Sequence, residues 1–130
     1  MKNEDNHFEI TRETKGKLPR LPFADIKKAI LGPDYSLSLA FVGRQRAIEL
    51  HKEFKHKDDA VNILSFPLSA SEGEIIISLE KARQECKNFD RSYENYLAFL
   101  FIHGCVHLKG FVHGDKMEKE EIKYRMMFDI

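Results

Sequence analysis

Hydrophobic positions along this chain follow two spacings, and each spacing predicts a different kind of element. Short runs rich in β-branched or aromatic residues, or apolar residues at every second position, are typical of strands. Four segments fit this description: residues 7–11, 36–42, 62–66 and 74–77. Ser and Gly residues separate the last two segments, so these two strands could pair as a hairpin.

Apolar residues at helical spacing predict five helices between and after these strands. The helices cover residues 23–31, a segment that follows Gly43 and ends near the polar residues 55–59, and residues 79–89, 93–108 and 116–128. The fourth helix is strongly apolar, so we expect it to be central and buried. Gly32 ends the first helix and Gly110 ends the fourth. Strands and helices in this order predict an α+β fold.

Length and composition narrow the class of protein. With 130 residues, 42% of them hydrophobic, the chain can bury one core, which predicts a single domain spanning residues 1–130. Lys plus Arg and Asp plus Glu number 21 each, so affinity for a polyanion must come from a local patch. The chain shows no apolar signal core and no apolar run near the ~20 residues that span a bilayer, which predicts a cytoplasmic protein without a membrane partner. Cys86 and Cys105 fall in predicted helices, which argues against a disulfide framework.

Three histidines near the end of the fourth helix could bind one metal ion. His103 and His107 are four residues apart, so their rings project from the same helix face about one turn apart. Gly110 breaks the helix, and the segment after it can bring His113 back toward that face. Three neutral imidazoles leave a fourth tetrahedral position for water, as in catalytic zinc sites. The alternative is that these histidines are only hydrogen-bonded core residues.

Two neighbours of these histidines bear on the chemistry. Cys105 points roughly 200° around the helix from His103, so we interpret it as a packing residue. Gly104 stands where the zinc-protease motif H-E-x-x-H places its general-base Glu, which disfavours a peptidase of that type. A small residue at this position would instead leave room for a bulky substrate beside the metal.

The run HGCVHLKGFVH, from His103 to His113, resembles the H-G-x-x-H-L-x-G-[YF]-x-H signature of YbeY-type endoribonucleases, bacterial metalloproteins of rRNA maturation. Two upstream segments are similar to further blocks of that family, in the expected order. VNILSFP at residues 61–67 is similar to N-V-L-S-F-P, and GEIII at residues 73–77 is similar to G-D-I-x-I. Lys55 stands where the family usually has Arg, and Val112 stands where it usually has Asp.

This resemblance implies a fold, an activity and a site. The fold is α+β, with a mixed four-stranded sheet packed against about five helices and the metal site at the end of the central apolar helix. The activity is metal-dependent, single-strand-specific cleavage of RNA in rRNA maturation and ribosome quality control. Its partners would be precursor rRNA and the ribosome or ribosomal proteins, with no DNA expected. The three histidines would bind one Zn²⁺ or another divalent transition metal and would form the catalytic site with Lys55, which would clamp the scissile phosphate.

Further RNA contacts are predicted on two segments. Arg44, Arg46 and Lys55 belong to a locally basic helix and loop, although an ordinary solvated helix is the alternative. Residues 62–67 would form the floor of a cleft, with Asn62 and Ser65 hydrogen bonding to a nucleotide; the alternative is a core strand ended by Pro. A second function stays open: a non-catalytic ribosome-assembly or RNA-binding protein in which the metal only fastens the last helix.

Overall fold

The computed structural model describes residues 7–13, 18, 20–54 and 62–130, apart from the side chains of residues 51 and 54. Its strands are β1 (Phe8–Arg12), β2 (Ser36–Val42), β3 (Ile63–Ser69) and β4 (Glu72–Ser78). Its α-helices are α1 (Phe23–Leu31), α2 (Arg44–Phe54), α3 (Leu79–Glu85), α4 (Tyr93–Leu108) and α5 (Asp115–Met127). The predicted loop at residues 55–59 lies outside the described residues.

The four strands form one mixed sheet with the order β1-β2-β4-β3. β1 and β4 both run parallel to β2, whereas β3 runs antiparallel to β4 and lies at an edge of the sheet. The predicted α+β fold, with a mixed four-stranded sheet and about five helices, is therefore confirmed for the described residues. The predicted hairpin is also confirmed, because β3 and β4 pair across a short turn.

Alternate side chains of the central strand β2 pack into two different hydrophobic clusters, one on each face of the sheet. Leu37, Leu39 and Phe41 pack into the main core, to which α1, α4 and α5 contribute. Ala40 and Val42 point to the other face and join the smaller cluster under α2. The sheet therefore has helices on both faces, and α4 and α5 lie on the face opposite α2.

α4 is the central helix, as its apolar sequence predicts. It begins after Ser92, whose hydroxyl accepts a hydrogen bond from the backbone N–H of Asn95 at 3.1 Å. Leu97, Phe101 and Ile102 on this helix are fully buried. Even so, neither α4 nor another helix of the described residues has both the length and the apolar character needed to cross a membrane.

Two predicted elements differ from the observed ones by more than two residues at one end. β3 continues past Pro67 to Ser69, with an irregular register between these residues, because an edge strand tolerates a residue that cannot donate a backbone hydrogen bond. The predicted helix 79–89 is divided into α3 and a 3-10 turn at Cys86–Phe89. Asp90 ends that turn in the left-handed region, at φ 56°.

Gly104 faces the sheet, so the interpretation that it leaves room for a substrate is wrong. A Cβ atom at this position would lie 3.0 Å from the side chains of Ile63, Ile75 and Ser65. Gly104 itself is buried. The residue is small because α4 approaches β3 and β4 too closely for a side chain.

Gly104→Ala should therefore lower the free energy of unfolding by about 1–3 kcal/mol, the usual cost of extra volume in a packed core. Alanine is the better helix former by ~1 kcal/mol, so a measured loss means that crowding outweighs helix propensity. Urea unfolding of the variant and the parent chain measures the difference. Equal or greater stability of the variant would contradict this account of the close helix–sheet contact.

Candidate metal centre

The three predicted metal ligands lie together at the end of α4. The ring centroids of His103 and His107 are 4.7 Å apart, as expected for successive turns of one helix. α4 ends at Leu108, and Gly110 adopts a φ of +112°, which allows the chain to reverse. His113 then returns to within 4.6 Å of the His107 ring and 5.4 Å of the His103 ring.

The ligand atoms of this triad fit a single ion. One nitrogen from each of the three rings lies within 4.8 Å of the others, and the Nε2 atoms of His107 and His113 are 2.8 Å apart. Two nitrogens on a tetrahedral zinc ion, each bound at ~2.0–2.1 Å, are separated by about 3.3 Å. Small side-chain adjustments therefore suffice, and the triad could hold a metal ion.

The Nδ1 atoms of His103 and His107 both contact acceptor oxygens, so the Nε2 atom of each ring is the one available to an ion. The Nδ1 atom of His107 donates to the backbone carbonyl oxygen of Phe111 at 3.2 Å, so the lone pair of this ring is on Nε2, which faces His113. The Nδ1 atom of His103 contacts Oε2 of Glu121 at 3.1 Å. Partners of this kind set the tautomer and the ring orientation of metal-binding histidines.

The surroundings of His107 favour its neutral imidazole form. Burial lowers the pKa of His107 below its usual value, and the nearby ring of His103 lowers it further. A neutral ring is the form that binds metal ions. Cys105 lies between these histidines in sequence but is fully buried in the core, where burial raises the pKa of its thiol. It therefore packs as predicted and does not extend the triad.

Glu121 is a site residue that the sequence reasoning missed. It is only 5% exposed, and its second oxygen pairs with Nη1 of Arg125 at 3.5 Å. A signal was present, because Met117, Glu121 and Tyr124 recur at helical spacing and all three are buried on α5. Val112, at the position where the resembled family usually has Asp, is 79% exposed and offers no side-chain acceptor. The acceptors instead come from Glu121 and the Phe111 carbonyl.

A cavity of about 360 Å³ adjoins the histidines. We call it the aromatic cavity; its lining residues are Asn62, Ile63, Phe89, Tyr96, Phe99, Leu100, His103, His113, Gly114, Met117, Glu118 and Glu121. Asn62 is fixed there, since its Nδ2 donates to Glu85 Oε1 at 2.8 Å and contacts the Tyr96 hydroxyl at 3.3 Å. The predicted RNA contact Asn62 thus lies in the same cavity as two of the histidines.

Three other predicted RNA contacts, Ser65, Arg46 and Arg44, do not line this cavity. Ser65 sits on β3 beside Gly104, between the helix and the sheet. Arg46 is on α2 and pairs with Glu13 at 3.9 Å and with Glu49 at 3.7 Å. Arg44 lines a separate cleft between α2 and α3. Lys55 lies outside the described residues, and RNA binding by all of these residues stays a prediction.

Comparison with known proteins finds a matching family and relatives that are similar to this chain in sequence. The profile of a family described as Endoribonuclease YbeY matches residues 1–127. A relative named Endoribonuclease YbeY from Alkaliphilus metalliredigens is 34% identical over 104 residues, which cover 72% of this chain and 67% of the relative. One of the same name from Agrobacterium fabrum is 32% identical over 123 residues, 88% of this chain and 66% of the relative.

A structural comparison agrees on the fold. A protein from Thermotoga maritima, solved in solution, matches with a TM-score of 0.62 at 22% identity, over 90% of this chain and 85% of its own. With sequence identity this low, the match supports the architecture alone. The family match, by contrast, extends over nearly all of the sequence and includes all three histidines. This chain therefore belongs to the family of YbeY endoribonucleases.

Proposed function

We propose that the chain is a zinc-dependent endoribonuclease that cuts single-stranded precursor rRNA at the histidine triad, in contact with the ribosome or its proteins. Family membership supports a metal-dependent endoribonuclease role in rRNA processing. The observation that carries the proposal is the triad itself: three imidazole nitrogens within 4.8 Å, two of the rings oriented by acceptors, beside an open cavity. Three histidines are one of the ligand sets of catalytic zinc sites, which keep a fourth position for water or substrate.

The residues of the chain have separate parts in this reaction. A bound divalent ion would lower the pKa of a water molecule and polarise a phosphate oxygen. His103, His107 and His113 would hold that ion, with His103 oriented by Glu121 and His107 by the Phe111 carbonyl. The aromatic cavity would receive part of the RNA strand beside the triad.

Two competing functions are less well supported by the structure. A metal that only fastens α5 is not required, because Lys109 already joins α4 to α5 by contacts with Glu120 Oε2 at 2.6 Å and the Tyr124 hydroxyl at 2.8 Å. A peptidase of the H-E-x-x-H type needs a carboxylate where Gly104 packs against the sheet. The non-catalytic alternative is therefore not favoured, and the peptidase lacks its base.

The test compares one labelled RNA strand alone and annealed to its complement, each with the zinc-loaded chain. We expect cleavage of the single strand and much slower cleavage of the duplex, because a local site next to a cavity accepts a flexible strand more readily than a rigid A-form helix. With no net charge on the chain, binding should show a shallow dependence on salt. Equal rates on both substrates would refute single-strand specificity, and absence of cleavage with zinc and with other divalent metals would refute the function.

Lys55→Ala should reduce RNA cleavage much more than it reduces stability. Removing one lysine charge usually changes stability little, but a cation that holds the scissile phosphate acts directly on the reaction. Lys55→Arg should keep or raise activity, because guanidinium binds phosphate in a bidentate manner. Cleavage rates over a range of salt concentrations measure the effect, with Lys52→Ala on α2 as the matched control. If Lys55→Ala cleaves RNA as fast as the parent chain, Lys55 does not hold the scissile phosphate.

A further inference from the structure

We infer that the aromatic cavity is a nucleobase-binding pocket, in which an unpaired base next to the cleaved phosphate stacks on Phe89. The inference rests on the proposed function, because it places an RNA strand across the histidine triad. The cavity and the triad share His103 and His113 as lining residues. A nucleotide whose phosphate lies at the triad therefore has its base, or that of its neighbour, within reach of the cavity.

Three aromatic rings make one wall of the cavity. The rings of Phe89 and Tyr96 are stacked, with centroids 5.1 Å apart and an angle of 21° between their planes. Tyr96 and Phe99 are also stacked, at 5.8 Å and 17°. Flat aromatic surfaces of this kind are what proteins use to hold unstacked bases, since every base presents a π-face.

Phe89 is unusually exposed for a ring of its size. Half of its surface, 51%, is accessible, whereas Tyr96 beneath it is only 1% exposed. The exposed large apolar side chains of the described residues are otherwise aliphatic or thioether groups: Ile10, Leu68, Val112, Ile122, Met126 and Met127. An accessible aromatic ring at the mouth of a cavity favours a binding role over a purely structural one.

The charge of the lining indicates a base as the occupant rather than a phosphate. Among the described residues that line the cavity there is no lysine or arginine, whereas Glu118 and Glu121 of α5 both line it. A carboxylate repels a phosphate, whereas the 62% exposed side chain of Glu118 could accept hydrogen bonds from the N–H and amino groups of a base edge. The volume of about 360 Å³ lies at the small end of the range for ligand pockets.

The first experiment measures how tightly a phosphorothioate single-stranded RNA, which resists cleavage, binds to the zinc-loaded chain. Phe89→Leu keeps an apolar cover over Tyr96 but removes the flat ring, so we expect affinity to fall by roughly fivefold or more, the lower end of what loss of one stacked base costs. Phe89→Tyr should restore it. Met126→Leu, at a 78% exposed position outside the cavity, is the matched control and should bind like the parent chain.

The second experiment locates the stacked base. A single abasic ribose is moved one nucleotide at a time past the cleavage position of an RNA substrate. For the parent chain, we expect the abasic substitution at one position beside the cut to lower kcat/KM at least fivefold. For Phe89→Leu, the same substitution should lower kcat/KM only a little, because the base matters only when the ring on which it stacks is present. Phe89→Tyr should again show the loss at that position.

The outcomes separate this inference from the proposed function. If Phe89→Leu binds RNA as tightly as Met126→Leu does, or if no abasic position lowers kcat/KM, the cavity does not bind a base. That result would leave the proposed nuclease function intact. If no form of the chain cleaves RNA, the proposed nuclease function is refuted. The base-binding role of the cavity is still supported in that case if Phe89→Leu weakens RNA binding and Phe89→Tyr restores it.

Discussion

A chain that carries both His103→Ala and His107→Ala should bind no stoichiometric zinc and should not cleave RNA above background. The double change removes two of the three nitrogens that lie within 4.8 Å of one another. Loss of a residue that only orients a ligand costs roughly 10–100-fold in metal affinity, so loss of two ligands should cost far more. Elemental analysis after reconstitution gives the stoichiometry, and titration calorimetry gives the affinity.

His7→Ala is the matched control for this prediction. His7 is exposed and contacts Ser36 rather than the triad, so its removal should leave zinc at one ion per chain. Circular dichroism should show an intact fold in both variants. Zinc bound as tightly by the double variant as by the parent chain would rule out the triad as the metal site.

Zinc affinity of the parent chain should change little between pH 8 and 7 and should fall below about pH 6. The direction follows from His107, whose pKa is lowered by burial, so its ring stays neutral near pH 7 and protons compete with the metal only in more acidic solution. The same depressed pKa means that the unfolded chain takes up the proton first as the pH falls, and this destabilises the fold on the acid side. Calorimetric titrations at several pH values measure the affinity.

Glu121→Ala should lower the free energy of unfolding by about 3 kcal/mol and weaken zinc binding about 10–100-fold. The carboxylate is 5% exposed and joins Nδ1 of His103 at 3.1 Å to Arg125 at 3.5 Å. Its removal leaves a guanidinium that is 15% exposed with one partner fewer, and a histidine ring without the contact that orients it. Urea unfolding and zinc titration measure the two effects separately.

Glu118→Gln provides the comparison for Glu121→Gln. Glu118 also contacts Arg125, at 3.4 Å, but its side chain is 62% exposed, so solvent screens that ion pair and its loss should change stability little. Glu121→Gln should lower both stability and zinc affinity more than Glu118→Gln does. If the two variants lose the same amounts, the buried carboxylate has no special part in orienting His103.

Local sequence determines much of the fold and the metal ligands, because the interactions involved are short in range. The apolar spacing of residues 93–108 predicts α4 with the observed bounds Tyr93–Leu108, and the same holds for α1 and β2. His103 and His107 must share a helix face whatever surrounds them, since the helical repeat places them there. Gly110 allows the chain to reverse, as its φ of +112° shows, and this makes His113 predictable as the third ligand.

Tertiary packing decided what no single segment specifies. Gly104 is required by the distance between α4 and the sheet, which depends on side chains from β3 and β4 far away in sequence. Glu121 meets His103 only because α5 packs beside α4, and the aromatic cavity exists only where β3, the Cys86–Phe89 turn and both helices converge. Such contacts join residues that are distant along the chain, so helical or strand spacing can place a residue on the inward face but cannot identify its partner.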